Sequence, residues 1–227
     1  MENVLRLLST LALKGAVERL AGQYLAATGV RLDADFAPTV GLLKRLREGE
    51  QADVLVLTRE GLEELVAEGM VAAASQVDLA RSWVGIAVKA GASHPDIATE
   101  TALRATLLGA RSVAYSKIGA SGIYFAELIQ RMGIASEINA KATITAGFTA
   151  ERLITGEADL AVQQLSELKQ VAGVEVIAPI PHELQTAAVF TAGRMASSAK
   201  TAEADALLKY LASPQVAPVL REAGLEP

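Results

Sequence analysis

The chain has 227 residues, of which 51% are hydrophobic and 21% charged, and its formal net charge is −5. This length allows one large domain or two small lobes, and the acidic balance argues against a nucleic-acid partner, because phosphate neutralisation requires clustered lysines and arginines. The sequence has no cysteine and only two histidines, His94 and His182, each beside a proline. We therefore expect no disulfide, no metal site and no other cofactor.

Neither a membrane span nor an export signal is evident in the sequence. No run of about 18 apolar residues occurs, so we expect no membrane insertion. The segment Met1–Arg6 leads almost directly into apolar residues and lacks the basic head and the small-residue cleavage site of a secretory signal. Two localisations stay open: cytoplasmic as the sequence is written, or periplasmic if a signal peptide was removed.

Strands and helices alternate in the first part of the chain. The predicted strands are residues 4–8, 30–36 and 52–57, and the predicted helices are residues 13–28, 41–48 and 59–68. This β-α-β-α-β-α series predicts a parallel sheet with helices on both faces, whose ligands bind beyond the carboxyl ends of the strands. The candidate ligand-binding residues at these ends are Ser9, Thr10, Thr39, Thr58 and Arg59. The alternative interpretation is that the hydroxyls only cap helices and that the arginine is solvated.

A second α/β series follows. Its predicted strands are residues 83–88, 111–115, 160–162 and 174–177, and its predicted helices are residues 123–132 and 144–155. The chain then continues with a strand over 186–191, a helix over 202–211 and a last helix that begins at Pro214. The two series predict two lobes joined by two crossings. Residues 1–80 with 188–227 form lobe 1, and residues 81–187 form lobe 2.

The second lobe has its own candidate ligand-binding residues. Residues 116–122 (SKIGASG) resemble a small anion nest, in which glycine lets backbone N–H groups approach a ligand. Other polar side chains fall at predicted helix starts or at a strand end. The candidates are Ser121, Gly122, Tyr124, Thr145 and Gln163. The alternatives are a glycine-capped turn, core packing of the tyrosine, and a structural glutamine with satisfied hydrogen bonds.

Six phrases occur in order along the chain. They are Lys14–Ala21 (KGAVERLA), Gly49–Val54 (GEQADV), Glu68–Val71 (EGMV), Ala120–Tyr124 (ASGIY), Gly156–Ala161 (GEADLA) and Tyr210–Pro214 (YLASP). Together they resemble the molybdate-binding-protein branch of the type 2 periplasmic solute-binding family over essentially the whole chain. The resemblance implies two α/β lobes joined by two crossover segments, with a ligand cleft between them. It also implies a monomer with a small anionic ligand and an ABC permease as partners.

The chain departs from this family at several ligand positions. Molybdate binders surround the oxyanion with neutral donors: serine hydroxyls, backbone N–H groups and a tyrosine. Matched by position, the family's serines fall at Ala12, Thr39 and Ser121, and its tyrosine at Gln163. The usual serine–acid pair after the third strand is Thr58-Arg59. Because arginine grips a planar carboxylate bidentately, this departure favours an organic carboxylate over molybdate.

The same branch also resembles aconitate isomerase-like proteins, which implies a second hypothesis. Such an enzyme shifts a double bond in an unsaturated di- or tricarboxylate by moving a proton, and it requires cations and an acid/base residue. The candidate cations are Arg59 and Lys117, and the candidate proton carriers are Tyr124, Lys14 and Lys117. Two functions therefore stay open: a solute-binding protein that closes over a small carboxylate or oxyanion such as molybdate, and an isomerase.

Overall fold

The computed structural model describes residues 3–227. Met1 and Glu2, with which the predicted lobe 1 and the export-signal interpretation begin, lie outside the described residues. The chain divides into two compact units. Unit 1 combines the residues up to Ser82 with Ala188–Pro227, and unit 2 is Trp83–Ala187.

Unit 1 is built on a five-stranded sheet. Its strands are β1 (Val4–Ser9), β2 (Arg31–Phe36), β3 (Val54–Thr58), β4 (Val77–Ser82) and β10 (Ala188–Arg194), and its helices are α1 (Lys14–Thr28), α2 (Thr39–Arg47), α3 (Arg59–Ala67), α9 (Thr201–Leu211) and α10 (Ala217–Glu222). The strand order is β2-β1-β3-β10-β4. β1 is parallel to β2 and β3, whereas β10 is antiparallel to β3 and β4. The predicted parallel sheet is therefore mixed, because the chain re-enters unit 1 beside the end of β4, where Ala188 pairs with Ser82.

Alternating side chains place two apolar cores on opposite faces of the unit 1 sheet. In β3, Val54 and Val56 pack in a core with residues of α1, α9 and α10, while Leu55 and Leu57 pack with residues of α2 and α3. Successive side chains of a strand point to opposite faces, and all four are fully buried. Burial of this kind stabilises a fold by roughly 25 cal/mol per Å² of apolar surface, so it fixes helices on both faces and thereby positions their first turns.

Unit 2 repeats this architecture with a second mixed sheet. Its strands are β5 (Val84–Lys89), β6 (Val113–Tyr115), β7 (Ala142–Ile144), β8 (Leu160–Gln164) and β9 (Val174–Pro179), and its helices are α4 (Glu100–Gly109), α5 (Ala120–Arg131), α6 (Ala135–Asn139), α7 (Glu151–Ile154) and α8 (Leu165–Leu168). The strand order is β7-β6-β8-β5-β9. β6 is parallel to β7 and β8, whereas β5 is antiparallel to β8 and β9.

Several segments of unit 2 differ from the sequence prediction, including the short helices α6 and α8, which it lacks. Residues 144–155, predicted as one helix, comprise the end of β7, a loop and the short helix α7. Parallel pairing of β7 with β6, in which Tyr115 lies opposite Ile144, outweighs the local helical spacing. Helix α4 is absent from the sequence prediction, although Thr99 gives it an N-cap by accepting from the Ala102 amide at 3.1 Å.

None of the helices within residues 3–227 is long and apolar enough to cross a membrane. Over the same residues, histidine and acidic side chains form no group of three or more that could hold a metal ion.

Candidate functional site

The carboxyl ends of β1, β2 and β3 lie at one edge of the unit 1 sheet, because these strands are parallel neighbours. Ser9 ends β1 and is fully buried. Its hydroxyl donates to the Thr10 carbonyl at 3.2 Å, and the Thr10 amide donates to the Val56 carbonyl at 2.8 Å. Neither side chain caps a helix: α1 follows only after the 3-10 turn Leu11–Leu13, which Thr10 does not cap. Both predicted residues therefore lie at this edge without the alternative capping role.

Thr39 and Thr58 bring the first turns of α2 and α3 together. The Thr58 amide donates to Thr39 Oγ1 at 3.3 Å, and the Gly61 amide donates to Thr58 Oγ1 at 3.4 Å. A Cβ atom at Gly61 would lie 2.5 Å from Thr39 Cγ2, so only glycine allows this approach. Thr39 itself begins α2, two helix positions before the predicted start at Gly41. The two helix N-termini, whose N–H groups and dipoles favour an anion, therefore lie at the same edge.

Arg59, the predicted carboxylate clamp, is already paired within unit 1. Its guanidinium forms an ion pair with Asp78 of β4, and Thr191 donates to the other side of this carboxylate at 2.6 Å. Although burial alone would raise the pKa of Asp78, the hydrogen bonds from Thr191 and Arg59 hold it below its usual value. Arg59 is 44% exposed. Asp78 engages the Nε and Nη2 groups of Arg59, so a ligand carboxylate could bind the remaining N–H groups beside Asp78 or would have to displace it.

Lys14 places a positive charge at the same edge as the threonines. It begins α1, pairs with Glu18 one turn later, and lies with its Nζ 5.5 Å from the centre of the Phe36 ring. Phe36 ends β2, so the ammonium group lies close to the carboxyl end of that strand. The i,i+4 pair of Lys14 with the half-exposed Glu18 is a weak surface pair, whereas Thr191 also holds the carboxylate that pairs with Arg59. Lys14 is therefore more available to an anionic ligand than Arg59.

The predicted nest in unit 2 is a tight turn that leads into α5. The Ser116 hydroxyl accepts from the Ile118 amide at 3.2 Å and the Gly119 amide at 3.1 Å. A Cβ atom at Gly122 would lie 1.6 Å from the Ser116 carbonyl oxygen, and the Gly122 amide donates to Gly119 at 3.0 Å. Gly122 thus serves close packing, and its N–H is occupied. Ser121 is 2% exposed, and its hydroxyl has no hydrogen-bond partner within residues 3–227.

Lys117 and Tyr124 differ in whether their polar groups already have a partner within the protein. Lys117 is exposed in the turn before α5 and forms no ion pair with the described residues. The partly buried Tyr124 donates its hydroxyl to the Leu184 carbonyl at 3.2 Å. Burial raises the pKa of Tyr124 to about 12. The phenol therefore keeps its proton at neutral pH, which argues against Tyr124 as a general base.

Thr145 and Gln163 lie at the carboxyl ends of β7 and β8, at the same edge of the unit 2 sheet. Thr145 Oγ1 accepts from the Gly147 amide at 3.4 Å and from Arg152 at 3.5 Å. The Gln163 amide oxygen accepts from the Thr149 amide at 2.7 Å and the Thr149 hydroxyl at 3.0 Å, and its nitrogen donates to the Gly147 carbonyl at 3.2 Å. Gln163 is therefore a buried structural glutamine in unit 2, which is the alternative that the sequence left open.

Glu167 is a polar residue of this edge that the sequence analysis does not single out. It lies in α8, directly after β8, and is only 7% exposed. Burial raises its pKa to about 7, against the effect of hydrogen bonds from the Gln164 amide and the Gln163 side chain. Its signal in the sequence is the spacing Gln164-x-x-Glu167, a capping-box pattern that the structure forms at the start of α8.

A cavity of about 560 Å³ opens at the opposite edge of the unit 2 sheet. Arg111 and Asp159 form an ion pair of 2.7 Å in its wall, beside the amino ends of β6 and β8. None of the predicted ligand-binding residues lines this cavity. The predicted residues lie instead at the carboxyl edges, where each unit presents hydroxyl groups and a lysine.

The profile of the bacterial extracellular solute-binding protein family matches residues 5–226. The chain belongs to this family. An aconitate isomerase from a Pseudomonas species is 38% identical over 230 residues, covering 98% of this family member and 87% of the relative. The family resemblance inferred from the six phrases is thus confirmed.

Solved structures of other binding proteins share the fold of this solute-binding family member. The periplasmic molybdate-binding protein of Azotobacter vinelandii has a TM-score of 0.83 at 19% identity and covers 98% of this chain and 99% of its own. The sulfate-binding protein of Mycobacterium tuberculosis has a TM-score of 0.79 at 15% identity, covering 99% and 87%. A periplasmic thiamin-binding protein has a TM-score of 0.78 at 18% identity, covering 100% and 84%. These likenesses confirm the predicted fold class of the periplasmic binding proteins.

The fold alone does not select a ligand for this solute-binding protein. The similar structures are named for molybdate, sulfate and thiamin, which differ in charge and shape. The chemistry of the ligand therefore has to be argued from the side chains at the two carboxyl edges.

Proposed function

We propose that the protein binds a small organic anion with two or three carboxylate groups. The observation that carries the proposal is the 38% identity, over 98% of the chain, to a protein named for aconitate, a tricarboxylate. Membership of the solute-binding family supports a role in binding a small solute. In a receptor role the protein would pass this solute to a membrane permease.

The side chains of unit 1 suit a carboxylate. Thr39 and Thr58 join two helix N-termini at the carboxyl edge, and Lys14 adds a full positive charge there. Helix N-termini and lysine each stabilise an anion, and hydrogen bonds to charged groups contribute about 1.5–3 kcal/mol each. A neutral donor set of the kind described for molybdate binders would need no such lysine.

Unit 2 offers a second set of donors. The Ser121 hydroxyl in the first turn of α5 has no partner among the described residues, and the neighbouring Lys117 is an exposed cation. We propose that these groups bind an anionic group at the carboxyl edge of unit 2.

A thermal-shift screen tests the proposed ligand class. We expect cis-aconitate, trans-aconitate or tricarballylate to stabilise the protein, since a ligand at 100 times its Kd adds about 2.7 kcal/mol to the free energy of unfolding. Molybdate, sulfate and thiamin serve as comparison ligands. Stabilisation by molybdate, with none by any carboxylate, would contradict the proposal.

A second candidate function is isomerisation of the bound carboxylate, and the identity to aconitate isomerase specifically favours it. In this reaction a base removes a proton from the carbon next to the double bond, the double bond shifts, and a proton is returned to the carbon that it leaves. Tyr124 is a poor base because its hydroxyl donates to Leu184 and its pKa is raised to about 12. Lys14 and Lys117 remain the candidate proton carriers.

Incubation with cis-aconitate tests this second function. Chromatographic separation of the products should show trans-aconitate, and the same reaction in D₂O should incorporate deuterium at a carbon that exchanges its proton. Lys14→Met and Lys117→Met variants would identify which lysine carries the proton. Binding without any trans-aconitate from pH 6 to pH 9 would leave the solute-binding function and exclude the isomerase.

A further inference from the structure

The cavity of about 560 Å³ in unit 2 lies where two neighbouring strands of the sheet separate. β5 and β8 are neighbours, but they pair only as far as Ala87 and Ala161. Beyond this pair, Val88 stays paired with β9 and Leu160 stays paired with β6. Both of these residues line the cavity. The cavity therefore opens between the two strands, at the edge of the sheet opposite the predicted ligand-binding residues.

Small residues leave the space between these strands open. They are Ala92, Gly109, Ala110, Gly156 and Ala158. A Cβ atom added at Gly109 or Gly156 would meet no atom within 4 Å. The buried side chains of Val88, Leu153 and Leu160 give the cavity an apolar wall. Sites for small molecules are concave, mostly apolar and about 300–1,000 Å³ in volume, so the size and the lining of this cavity suit a small ligand.

The charged side chains that line the cavity are two cations and one carboxylate. Arg111 and Asp159 pair at 2.7 Å, whereas Lys89 forms no ion pair with the described residues. The acidic residue on the adjoining strand β9 is Glu175, which pairs with His94 at 2.8 Å. One positive charge therefore remains at the cavity, although the formal net charge of the protein is −5. Local charge of this sign attracts an anion.

We propose that this cavity is a second ligand-binding site, which takes a monocarboxylate with an apolar body. The apolar body lies against Val88, Leu153 and Leu160, and Lys89 binds the carboxylate. Ser93 also lines the cavity, and its hydroxyl has no hydrogen-bond partner among residues 3–227, so it can donate to the same carboxylate. Apolar contact supplies most of the affinity of such a site, and the few polar groups fix the orientation of the ligand.

The cavity suits a different class of anion from the polycarboxylate proposed for the carboxyl edges. Asp159 lies in its wall, and a carboxylate repels each additional negative charge of a ligand. Apolar side chains also cannot satisfy the hydrogen bonds that several carboxylates require. A ligand with a single carboxylate lets Lys89 bind that group while the rest of the molecule contacts the apolar wall. Binding at the cavity is therefore independent of polycarboxylate binding.

Calorimetric titration with 2-naphthoate, an aromatic monocarboxylate, tests the role of the charge. We expect Lys89→Met to bind it about fivefold more weakly than wild type, because an exposed ion pair contributes up to about that factor. Lys169→Met, at an exposed position of the same unit outside the cavity wall, is the matched control and should bind as wild type does. The neutral analogue 2-naphthamide should bind wild type about fivefold more weakly than 2-naphthoate.

Methyl NMR of the same titration locates the ligand. Ring currents of 2-naphthoate should shift the methyl resonances of Val88, Leu153 and Leu160 and leave those of Leu207, in α9 of unit 1, unchanged. Saturating tricarballylate should change the Kd for 2-naphthoate less than about twofold. No binding at millimolar 2-naphthoate, equal affinity of Lys89→Met and wild type, or shifts confined to methyl groups outside the cavity would each overturn the second site. None of these results would affect the proposed polycarboxylate function, which the thermal-shift screen tests separately.

Discussion

The free energy of unfolding should depend on pH through Glu167, independently of any ligand. Burial raises the pKa of this carboxyl group from 4.5 to about 7, and each pKa unit corresponds to about 1.4 kcal/mol. Below pH 4.5 the group is protonated in both the native and the unfolded chain, so burial carries no charge penalty. Above pH 7 it is ionised in both, and the native state then bears a penalty of about 3 kcal/mol.

The assay is urea unfolding of wild type and Glu167→Gln from pH 5 to pH 8.5, followed by circular dichroism. The variant lacks the ionisable group, so its stability relative to wild type should rise with pH, by up to about 3 kcal/mol across the interval. A constant offset would reflect packing of the amide and does not affect this slope. Glu137→Gln, at an exposed position of α6 in the same unit, is the control, and its free energy of unfolding should depend on pH as that of wild type does. A difference between Glu167→Gln and wild type that stays flat with pH would refute a buried, titrating Glu167.

Five further substitutions test the site at single positions. Gly122→Ala should destabilise the protein by more than about 3 kcal/mol, because its Cβ would lie 1.6 Å from the Ser116 carbonyl oxygen. Gly119→Ala is the control and should change stability little, since the atom nearest to its Cβ would be 3.5 Å away. Thermal unfolding measures the stability of both variants. Lys14→Met should weaken tricarboxylate binding by about tenfold or more. Arg59→Ala should change the Kd less than about threefold, because the Arg59 guanidinium pairs with Asp78. If calorimetry shows a larger loss of affinity for Arg59→Ala than for Lys14→Met, Arg59 is the carboxylate clamp after all. Tyr124→Phe should lose about 1 kcal/mol of stability with the hydrogen bond to Leu184, and an accompanying loss of ligand affinity would show a direct contact.

Local patterns in the sequence predict the elements of unit 1 well. The buried apolar run of β3 and the helical spacing of α1 correspond to observed elements, and α1 ends at Thr28, before Gly29, whose φ of 72° favours glycine. These features depend on neighbours in sequence, so periodicity and capping signals are enough to find them. The direction of β10 depends instead on where the chain returns from unit 2, which no local pattern encodes.

Side-chain partners were the part of the site that the sequence could not supply. Thr39 and Thr58 were found because strand ends of a parallel series meet at one edge. The partner of Arg59 is Asp78, 19 residues along the chain on β4, which the sequence pattern does not predict. Glu167 is hidden for the same reason, since its burial follows from the packing of α8 on β5 and β8. The sign of each charged side chain follows from the sequence, but which charged side chains form ion pairs depends on how the fold brings them together.

Mapping of backbone amides by hydrogen exchange, with and without tricarballylate, tests the central claim most directly. We expect the ligand to slow exchange in the first turns of α2, α3 and α5, around residues 39–41, 59–61 and 120–123, and to leave the wall of the Arg111–Asp159 cavity unchanged. If the ligand binds but slows exchange only in the wall of that cavity, or does not slow exchange at any of the three helix starts, the proposed location of the anion-binding groups is wrong.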